Sequence, residues 1–354
     1  MQPVKVNIQP KVACDSQLPP NSAIATANAN IALIKYWGKR DGNLILPYTS
    51  SLSLTLSDLY TTTSVSFDNN LHKDCVTLNS LALLESDKTF NRVVKMLDLV
   101  REIAGISTKA SVVSKNHVPT AAGLASSASG FAALASAAAY AAGLNLTPRE
   151  LSRLARRGSG SACRSIFGGL VVWNAGESDE TSYAEPLELK DYDPKNLPLA
   201  MIVCVLNDDQ KPISSRNAMR QTVETSPAFM PWVEQSKNDL LQALDAIRQG
   251  DVVKLGDSVE CNAFGMHETM HKAVPSVNYL TNKTYAVLKA VKDMRSDGFP
   301  VWATMDAGPN VKVLTVQDSA DSAMAELCAR VEIEDAKFTI ALPGSGVSVN
   351  TSLK

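Results

Sequence analysis

The order of apolar and polar residues predicts strands at the start of the chain and a helix after them. The segment SLSLTLSDLYTTTSVSF, residues 51–67, alternates apolar and Ser/Thr residues, as a half-buried strand does. Residues 89–104 change to apolar side chains three or four positions apart, which is the spacing of an amphipathic helix. The segment KASVVS, residues 109–114, then predicts another strand.

Two further helices are predicted before the middle of the chain. An Ala-rich segment from Gly123 to Gly143 opens with Gly and Ser and stops at a glycine, which is typical of a helix end. The sequence TPRE, Thr147 to Glu150, is a capping box with Pro at the first helical position. We therefore expect the next helix to begin there and to contain ELSRLARRGSG.

The second half of the chain predicts a different order of elements. GGLVVWNAG and LAMIVCVLN are typical of strands, and the Pro/Asp/Lys-rich stretch 191–198 between them is a candidate domain boundary. The remaining pattern predicts helices over 226–250, 251–273 and 281–298, a strand over 301–316, a helix over 319–331 and a strand near 337–344. This β-α-α-β-α-β order favours a split αβ sandwich. We expect a flexible N-terminal arm at 1–22, an N-terminal domain at 23–198 and a C-terminal domain at 199–354.

Composition narrows the class of protein. The chain has 354 residues, 45% hydrophobic and 20% charged, which suits a globular protein of two domains. A net charge of −2 and a pI near 6.1 indicate neither nucleic acid nor an anionic membrane as partner. The N-terminus lacks the apolar core of a signal peptide, and the six cysteines are widely spaced. We expect a cytoplasmic protein.

The segment PTAAGLASSASG, Pro119 to Gly130, has the chemistry of a phosphate loop. Small residues let a ligand approach the backbone, and the N-terminus of the following helix favours an anion. The hydroxyls of Ser126, Ser127 and Ser129 add donors. The segment matches neither the Walker pattern nor the dinucleotide G-x-G-x-x-G. A tight turn into an Ala-rich core helix is the alternative interpretation.

A second motif competes with this one. The segment His267-Glu268-Thr269-Met270-His271 matches the H-E-x-x-H pattern of zinc metalloproteases, and its histidines share one helix face. A third ligand is not evident, the extended x-x-G-x-x-H continuation is absent, and Pro275 ends the helix soon afterwards. The alternative is a partly exposed helix face that carries two unrelated imidazoles.

Four segments, taken together, resemble one family. NIALIKYWGKRD (30–41), PTAAGLASSAS (119–129), RRGSGSACRSIFGG (156–169) and MDAGPNVKVL (305–314) are similar, in this order, to the signatures of the diphosphomevalonate decarboxylase family of the GHMP kinase superfamily. DETSYAEPL and SSRNAM match as well. The resemblance implies an α+β protein of the GHMP kinase fold. Its N-terminal domain is then ribosomal-protein-S5-like, its C-terminal domain is a ferredoxin-like αβ sandwich, and the active site lies in the cleft between them.

The resemblance also implies a reaction and its partners. The family uses ATP with Mg as co-substrate to convert mevalonate 5-diphosphate into isopentenyl diphosphate, ADP, phosphate and CO2, a step of isoprenoid biosynthesis. Phosphorylation of the tertiary 3-hydroxyl turns it into a leaving group, and loss of CO2 follows. We expect no dedicated protein site for the metal, because ATP carries the Mg, and we expect a homodimer.

Four residues match catalytic positions of the family: Asp306, Lys35, Arg164 and Ser127. Asp306 would orient the substrate hydroxyl or accept its proton, and Lys35 would keep Asp306 ionised. The guanidinium fork of Arg164 would hold the substrate carboxylate. From the residues alone, a turn aspartate, an exposed strand-end lysine and a basic helix end remain open alternatives.

The resemblance assigns the remaining positions to the two substrates. The expected substrate-binding residues are Tyr36, Lys39, Ser114, Ser159, Ser161, Arg164, Ser215 and Arg216. The expected ATP-binding residues are Pro119, Ala122, Gly123, Leu124, Ala125, Ser126, Ser127, Ser129 and Lys211. Two departures occur: Pro212 stands where the family often has a second lysine, and Thr49 stands where it usually has Asn. The Thr49 hydroxyl can still form a hydrogen bond, so we expect a subtle change rather than a categorical one.

The same comparison changes the interpretation of the H-E-x-x-H motif. Family members commonly have Met-His-Ala-Thr in this helix, and MHET is similar to that segment with Glu268 in place of Ala. The second histidine then completes the zinc pattern by accident. The alternatives to the family reaction are a mevalonate 3-kinase, a monophosphate-specific decarboxylase, a zinc hydrolase and a non-catalytic ATP-binding module.

Overall fold

The computed structural model describes residues 6–117, 126–188, 196–206 and 213–352. The strands are β1 (Lys11–Cys14), β2 (Ser22–Ile34), β3 (Lys39–Asp41), β4 (Leu46–Pro47), β5 (Ser51–Phe67), β6 (Cys75–Leu78), β7 (Leu81–Ala82), β8 (Ala110–Asn116), β9 (Leu170–Asn174), β10 (Tyr183–Pro186), β11 (Leu199–Val205), β12 (Trp302–Met305), β13 (Val311–Val316), β14 (Lys337–Ala341) and β15 (Ser348–Thr351). The helices are α1 (Lys88–Ala104), α2 (Ser126–Ala141), α3 (Pro148–Gly158), α4 (Ser215–Thr225), α5 (Phe229–Gln249), α6 (Val252–His271), α7 (Asn282–Ser296) and α8 (Gln317–Arg330), with a 3-10 helix at Gly160–Ile166.

The first sheet is built around the long strands β2 and β5. Its strands follow the order β1-β15-β2-β5-β8-β6-β7, and β9 pairs with β5 and with β10. The predicted strand over 51–67 coincides with β5, whose later residues alternate between buried and partly exposed. On one face the sheet packs against α1, α2 and α3, and the alanines of α2 allow that helix to lie close to alanines of β2.

The second sheet has the order β12-β13-β11-β14, and all its neighbouring strands are antiparallel. Every residue of β11 is buried because the strand separates two cores. Met201 and Val203 join α5 and α6 in the core beneath the first sheet, whereas Ile202 and Cys204 join the core with α7 and α8. The order of elements is that of a ferredoxin-like split βαβ unit, so the predicted α+β sandwich is confirmed.

The predicted strand over 301–316 is wrong in one respect, because the segment forms the hairpin β12–β13. Residues 306–310, DAGPN, make the turn between the strands, with the Gly308 amide donating to the Asp306 carbonyl at 2.8 Å. Proline and glycine interrupt the ladder in the middle of an otherwise apolar run. The turn places Asp306 at the tip of the hairpin.

Both described ends of the chain add strands to the first sheet. β15 pairs antiparallel with β2 and parallel with β1, so residues 11–14 of the expected flexible arm lie in the sheet. β15 belongs to the same sheet although the expected boundary places it in the C-terminal domain. The limits 1–22, 23–198 and 199–354 stay a prediction, and residues 189–195 near the expected linker lie outside the described residues.

The predicted helix beginnings are confirmed where the structure describes them. The capping box of α3 is present: the Thr147 amide donates to Glu150 Oε2 at 2.8 Å, and the Glu150 amide donates to Thr147 Oγ1 at 3.3 Å. α2 begins at Ser126, and residues 123–125 of its predicted start lie outside the described residues. Among the described helices, none has the length and apolar character needed to cross a bilayer.

Candidate active site

A cavity of about 450 Å³ lies where the two halves of the protein meet. Its walls come from the end of β2, from α1, from the first turns of α2 and α4, from the 3-10 helix and from the β12–β13 turn. Among the sequence-predicted residues, the cavity brings together Lys35, Tyr36, Lys39, Ser126, Ser127, Ser159, Ser161, Arg164, Ser215, Arg216 and Asp306. These segments are distant in sequence, so the fold rather than local order creates the site.

The centre of the site is a group that we name the aspartate cluster: Asp306, Lys35 and Lys312. Lys35 Nζ lies 2.8 Å from Asp306 Oδ1, and Lys312 Nζ lies 3.2 Å from Asp306 Oδ2. Burial alone would raise the pKa of Asp306, but the two ammonium groups outweigh it and hold that pKa well below its usual range. Asp306 is therefore ionised at neutral pH.

The Lys35 side chain is fixed from several directions. Its ammonium also donates to the Ala32 carbonyl at 2.9 Å, and its backbone amide donates to Asn262 Oδ1 at 2.8 Å. The Asn262 amide donates in turn to Asp239 Oδ2 at 2.7 Å, which ties the end of β2 to α5 and α6. Burial lowers the pKa of Lys35, and the nearby Asp306 carboxylate opposes this effect. Lys35 is buried, so the alternative of an exposed strand-end lysine is wrong.

Arg164 is buried and held by neutral oxygens rather than by a carboxylate. Its Nε donates to Asn30 Oδ1 at 3.2 Å, and its Nη1 donates to Ser51 Oγ at 2.8 Å. Asn30 is itself oriented by donating to Ser165 Oγ at 2.8 Å and to the Ser161 carbonyl at 3.0 Å. Burial lowers the pKa of Arg164. A fixed guanidinium whose two hydrogen bonds go to neutral groups is suited to an anionic ligand in the cavity.

The other end of the cavity carries a group that we name the cationic clamp: Lys39, Arg92 and Arg216. Burial and repulsion from Arg216 and Arg92 lower the pKa of Lys39 to about 8. Burial and repulsion from Arg216 also lower the pKa of Arg92 to about 10. The charged groups that act on these two pKa values are all cations, so the clamp is suited to an anion of high charge.

Arg92 is a residue of this clamp that the sequence did not reveal. It lies on α1, where its Nη2 donates to the Gly158 carbonyl at 3.1 Å and its guanidinium lies 4.5 Å from the Phe131 ring centroid. Its Nε is buried and has no hydrogen-bond partner among the described residues. The amphipathic pattern of α1 indicates only that position 92 lies near the apolar face, not that it reaches a ligand.

Backbone geometry places Tyr36 and Lys39 at the clamp. Gly38 has a φ of +85°, and a Cβ there would lie 2.5 Å from the Phe229 ring, so only glycine allows the turn into β3. The Tyr36 ring packs 4.7 Å from the Trp173 ring, and its buried hydroxyl has no partner among the described residues. Burial raises the pKa of Tyr36, so the phenol stays protonated and can donate to an anion.

The first turn of α4 completes this end of the cavity. Ser214, Ser215 and Arg216 all line it, and Ser214 caps the helix by accepting from the Asn217 amide at 3.3 Å. The N-terminus of a helix has a positive dipole end that favours an anion. Ser214 was not among the predicted residues, although its place before a helix is typical of a cap.

A second cavity, of about 200 Å³, adjoins the first. Ser126, Ser127 and Arg92 line both, whereas Ser114 lines only the second and bonds to Thr63 Oγ1 at 2.9 Å. Ser129 lines neither: it is fully buried and its hydroxyl bonds to Thr61 Oγ1 at 2.8 Å. Ser127 Oγ lies 3.3 Å from Ser159 Oγ, so the start of α2 meets the 3-10 helix region where the cavities join.

Several predicted positions are not described or differ from expectation. Pro119, Ala122, Gly123, Leu124, Ala125, Lys211 and Pro212 lie outside the described residues. Thr49 is buried, and its hydroxyl has no hydrogen-bond partner among the described residues. The effect of Thr49 in place of the family's Asn stays a prediction.

The two histidines of the H-E-x-x-H motif occupy different environments. His267 is buried and faces the backbone of Met305 and Asp306, and burial lowers its pKa to about 4. His271 is exposed, and Glu268 forms a surface ion pair with Lys272 at 2.9 Å. The expectation of a partly exposed face is thus wrong for His267. The described residues contain no group of three or more His, Cys, Asp or Glu side chains that could hold a metal.

Two family models match most of the chain. The diphosphomevalonate decarboxylase-like N-terminal domain matches residues 27–184, and the mevalonate 5-diphosphate decarboxylase C-terminal domain matches residues 201–346. The chain belongs to the diphosphomevalonate decarboxylase family.

Relatives from distant organisms support this membership. The diphosphomevalonate decarboxylase of Candida albicans is 35% identical over 351 residues, which cover 94% of this chain and 96% of that protein. The enzyme of Danio rerio is 36% identical over 311 residues, covering 83% of this chain and 76% of that one.

Solved structures of the family agree with the fold. A structure of MDDEF in complex with MVAPP, AMPPCP and magnesium has a TM-score of 0.88 and 45% identity, and covers 93% of this chain and 99% of that one. Mevalonate diphosphate decarboxylase from Staphylococcus aureus has a TM-score of 0.87 and 42% identity, covering 93% and 97% of the two chains. The chain therefore has the GHMP kinase fold of this family, as the sequence resemblance implies.

Proposed function

We infer that this chain is an enzyme that decarboxylates mevalonate 5-diphosphate, with ATP as co-substrate, to isopentenyl diphosphate, ADP, phosphate and CO2. The observation that carries the proposal is the aspartate cluster beside Arg164, in the same cavity as the cationic clamp. One end of the cavity thus offers an ionised carboxylate and a guanidinium, and the other offers the charge that a diphosphate requires.

The reaction has two parts, a phosphoryl transfer from ATP and then the loss of phosphate and CO2. The oxygen of the tertiary 3-hydroxyl forms a bond to the γ-phosphorus of ATP, and the bond from that phosphorus to the β-γ bridging oxygen breaks, so that ADP leaves. The hydroxyl proton passes to an oxygen of the transferred phosphoryl group. The C3–O bond then breaks and phosphate departs. The C1–C2 bond breaks and CO2 leaves. The electron pair of the broken bond forms the C2–C3 double bond of the product.

Asp306 acts in the first part. Its carboxylate accepts the hydrogen bond of the 3-hydroxyl and orients that oxygen toward the γ-phosphate, while Lys35 holds the carboxylate from the β2 side. Arg164 binds the substrate carboxylate at C1, which fixes the C1–C2 bond for cleavage. Ser159 and Ser161, which also line the cavity, are placed to donate to the same part of the substrate.

The cationic clamp binds the 5-diphosphate. Lys39 and Arg216 supply charge, Tyr36 and Ser215 supply hydroxyl donors, and the first turn of α4 supplies backbone N–H groups. Arg92 lines both cavities, which supports a position between this diphosphate and the nucleotide. We assign Arg92 to substrate binding as well.

The second cavity and the start of α2 are suited to ATP. The helix N-terminus with the Ser126 and Ser127 hydroxyls fits a polyphosphate, and Ser114 lies further into the second cavity. Hydroxyl, carboxylate and phosphate oxygens are the ligands that Mg²⁺ prefers, so these donors fit Mg carried by ATP. When bound, Mg neutralises charge on the phosphate oxygens of ATP.

Simultaneous measurement of three products tests the proposal. Purified protein is incubated with ATP, Mg and mevalonate 5-diphosphate, and the release of ADP, phosphate and CO2 is measured. If the proposal holds, the three products form in equal amounts. ADP without CO2 would instead identify a mevalonate 3-kinase. Turnover of the monophosphate but not of the diphosphate would identify a monophosphate-specific decarboxylase, and no turnover with retained ATP binding would leave a binding module.

We also propose a homodimer and a cytoplasmic location. Both rest on membership of the diphosphomevalonate decarboxylase family. Light scattering coupled to size-exclusion chromatography tests the dimer, and microscopy of the fluorescently tagged protein tests the location. A mass near 37.9 kDa in solution would contradict the dimer.

A further inference from the structure

We propose that Lys312 is a positioning residue for the proposed decarboxylation, which acts by holding the Asp306 carboxylate in one orientation. The proposal rests on the proposed function, because it concerns the carboxylate that orients the substrate hydroxyl. Lys312 Nζ lies 3.2 Å from Asp306 Oδ2, and Lys35 Nζ lies 2.8 Å from Oδ1. Each carboxylate oxygen therefore has its own ammonium partner.

The position of Lys312 separates it from the residues that touch substrate. It lies on β13 between Val311 and Val313, with 1% of its side chain exposed, and it does not line the cavity. Two ammonium groups buried against one carboxylate cost desolvation energy that a single ion pair would not. A buried lysine at this place is therefore best explained by what it does to Asp306.

Two partners restrict the carboxylate more than one does. With Lys35 alone, the carboxylate can rotate about its Cβ–Cγ bond and present either oxygen to that ammonium. With Lys312 on the other oxygen, any rotation short of a half-turn weakens both ion pairs, because the two ammonium groups come from β13 and from the end of β2. The lone pairs left for the substrate hydroxyl then point in one direction, which is what an in-line transfer needs.

Other titratable groups also face Asp306. Lys35 approaches from the end of β2, Arg164 from the 3-10 helix and His267 from α6. His267 is neutral near pH 7, because burial lowers its pKa to about 4. Without Lys312, the cations Lys35 and Arg164 remain, so Asp306 keeps a negative charge at neutral pH but loses part of its protection against protonation.

The test compares Lys312→Met, Lys312→Gln and Lys312→Arg with the wild type from pH 5 to pH 9. The kcat and both KM values come from release of ADP and CO2, and folding is checked by thermal melting and by binding of a fluorescent ATP analogue. For Lys312→Met we expect kcat to fall about 10- to 100-fold at pH 7, with both KM values within about twofold of the wild type. Because Asp306 stays ionised across this range in the wild type, we expect any acid limb of kcat in Lys312→Met to lie at a higher pH than in the wild type, and we expect Lys312→Arg to recover most of kcat.

A matched control is Lys289→Met, which removes an exposed lysine from its 2.5 Å pair with Asp293 on α7. We expect it to leave kcat and the pH profile unchanged. A folded Lys312→Met protein with wild-type kcat and acid limb would overturn the proposal. If Lys312→Met does not fold, the acid limb of Lys312→Gln and the recovery by Lys312→Arg decide in the same way.

Failure of this proposal is distinguishable from failure of the proposed function. A wild-type protein that releases no CO2 from mevalonate 5-diphosphate contradicts the function, whatever the variants do. A wild type that releases CO2, together with a Lys312→Met protein that matches it at every pH, contradicts only the positioning role. A loss that appears in KM instead of kcat would place Lys312 in binding and would also overturn the proposal.

Discussion

The two charged regions of the cleft, the aspartate cluster and the cationic clamp, are built on opposite principles. In the aspartate cluster, Asp306 is paired on both oxygens, at 2.8 and 3.2 Å, by groups of opposite charge. In the clamp, the charged groups that shift the pKa values of Lys39 and Arg92 have the same sign as those residues. In the aspartate cluster, the carboxylate has partners of opposite charge before any ligand binds. In the clamp, the cations gain a partner of opposite charge only when an anion binds.

This difference separates the residues that act on the reacting atoms from the residues that bind the diphosphate. Groups that act on the reacting atoms must keep their orientation throughout the reaction, and paired charges with fixed partners provide that. Groups that bind a diphosphate gain most if they are repelled by one another beforehand, since the ligand then relieves the repulsion. Substitutions in the cluster should therefore lower kcat, and substitutions in the clamp should mainly raise KM.

The largest effect is expected for Asp306→Asn. The amide cannot accept the substrate hydroxyl's hydrogen bond as the carboxylate does, and it leaves Lys35 and Lys312 buried without their counter-ion. We expect kcat to fall at least about 10³-fold while the ATP analogue still binds. The control Asp297→Asn removes an exposed carboxylate that pairs with Arg330 at 2.7 Å, and its kcat should stay within about twofold of the wild type. Near-normal turnover of Asp306→Asn would refute the role.

A smaller effect is expected for Arg164→Lys. An ammonium keeps the charge but cannot donate to Asn30, Ser51 and a carboxylate from the fixed plane that the guanidinium offers. We expect kcat/KM for mevalonate 5-diphosphate to fall about 10²-fold, with the KM for ATP unchanged. Steady-state kinetics with each substrate varied in turn measures this. The same change at the exposed Arg149 of α3 is the control, and equal effects at both positions would argue against a special role for Arg164.

The clamp predicts a decrease in substrate binding at alkaline pH that the wild-type aspartate cluster does not predict. Lys39, with a pKa of about 8 in the free protein, is charged below that pH and neutral above it. We therefore expect kcat/KM for mevalonate 5-diphosphate to decrease as pH rises above about 8, while kcat stays flat because bound diphosphate restores the charge.

Lys39→Met should remove this alkaline limb and lower kcat/KM about tenfold at pH 7, chiefly through KM. The control is Lys237→Met, which removes an exposed lysine from its 2.7 Å pair with Glu234. An alkaline limb that persists in Lys39→Met would assign the limb to another group.

The smallest effect is expected for His271→Ala. His271 is exposed and outside the cleft, so we expect kcat and both KM values to stay within about twofold of the wild type. Metal analysis of the purified wild-type protein accompanies the kinetics. If the wild type contains stoichiometric zinc, and His271→Ala loses both the zinc and the activity, the metalloprotease interpretation would be restored. The comparison between the aspartate cluster and the cationic clamp would then lose its basis.

The sequence predicted those site residues that belong to distinctive motifs. Asp306, Lys35 and Arg164 each lie in a segment similar to a family signature, and the structure brings all three to one cavity. Lys312 also lies in one of these segments, 305–314, but the resemblance assigned it no role, and Arg92 lies in none of them. A single cation inside an apolar strand or helix pattern has the same local sequence whether it faces solvent, an ion pair or a ligand, and only tertiary packing decides among these.

The fold was predictable where periodicity is strong. β5, α1 and α3 follow from alternation, helical spacing and a capping box. The sequence predicts a single strand where β12 and β13 form a hairpin, because apolar residues continue on both sides of the short turn. β15 was missed because its four residues, SVNT, carry little hydrophobic signal, and its stability comes from pairing with β1 and β2.

The pairing of β15 with β2 has a consequence for how the protein folds during its synthesis. Residues 23–26 of β2 are made early on the ribosome, but their partners at 348–351 emerge only after both halves of the chain. Until then, one edge of β2 has unpaired N–H and C=O groups that another chain could pair with. This contact also joins residues that are far apart in sequence, which slows folding of the first sheet. Newly made chains should therefore aggregate most readily in the interval before β15 is released, and a chaperone that covers this strand edge should raise the yield of folded protein.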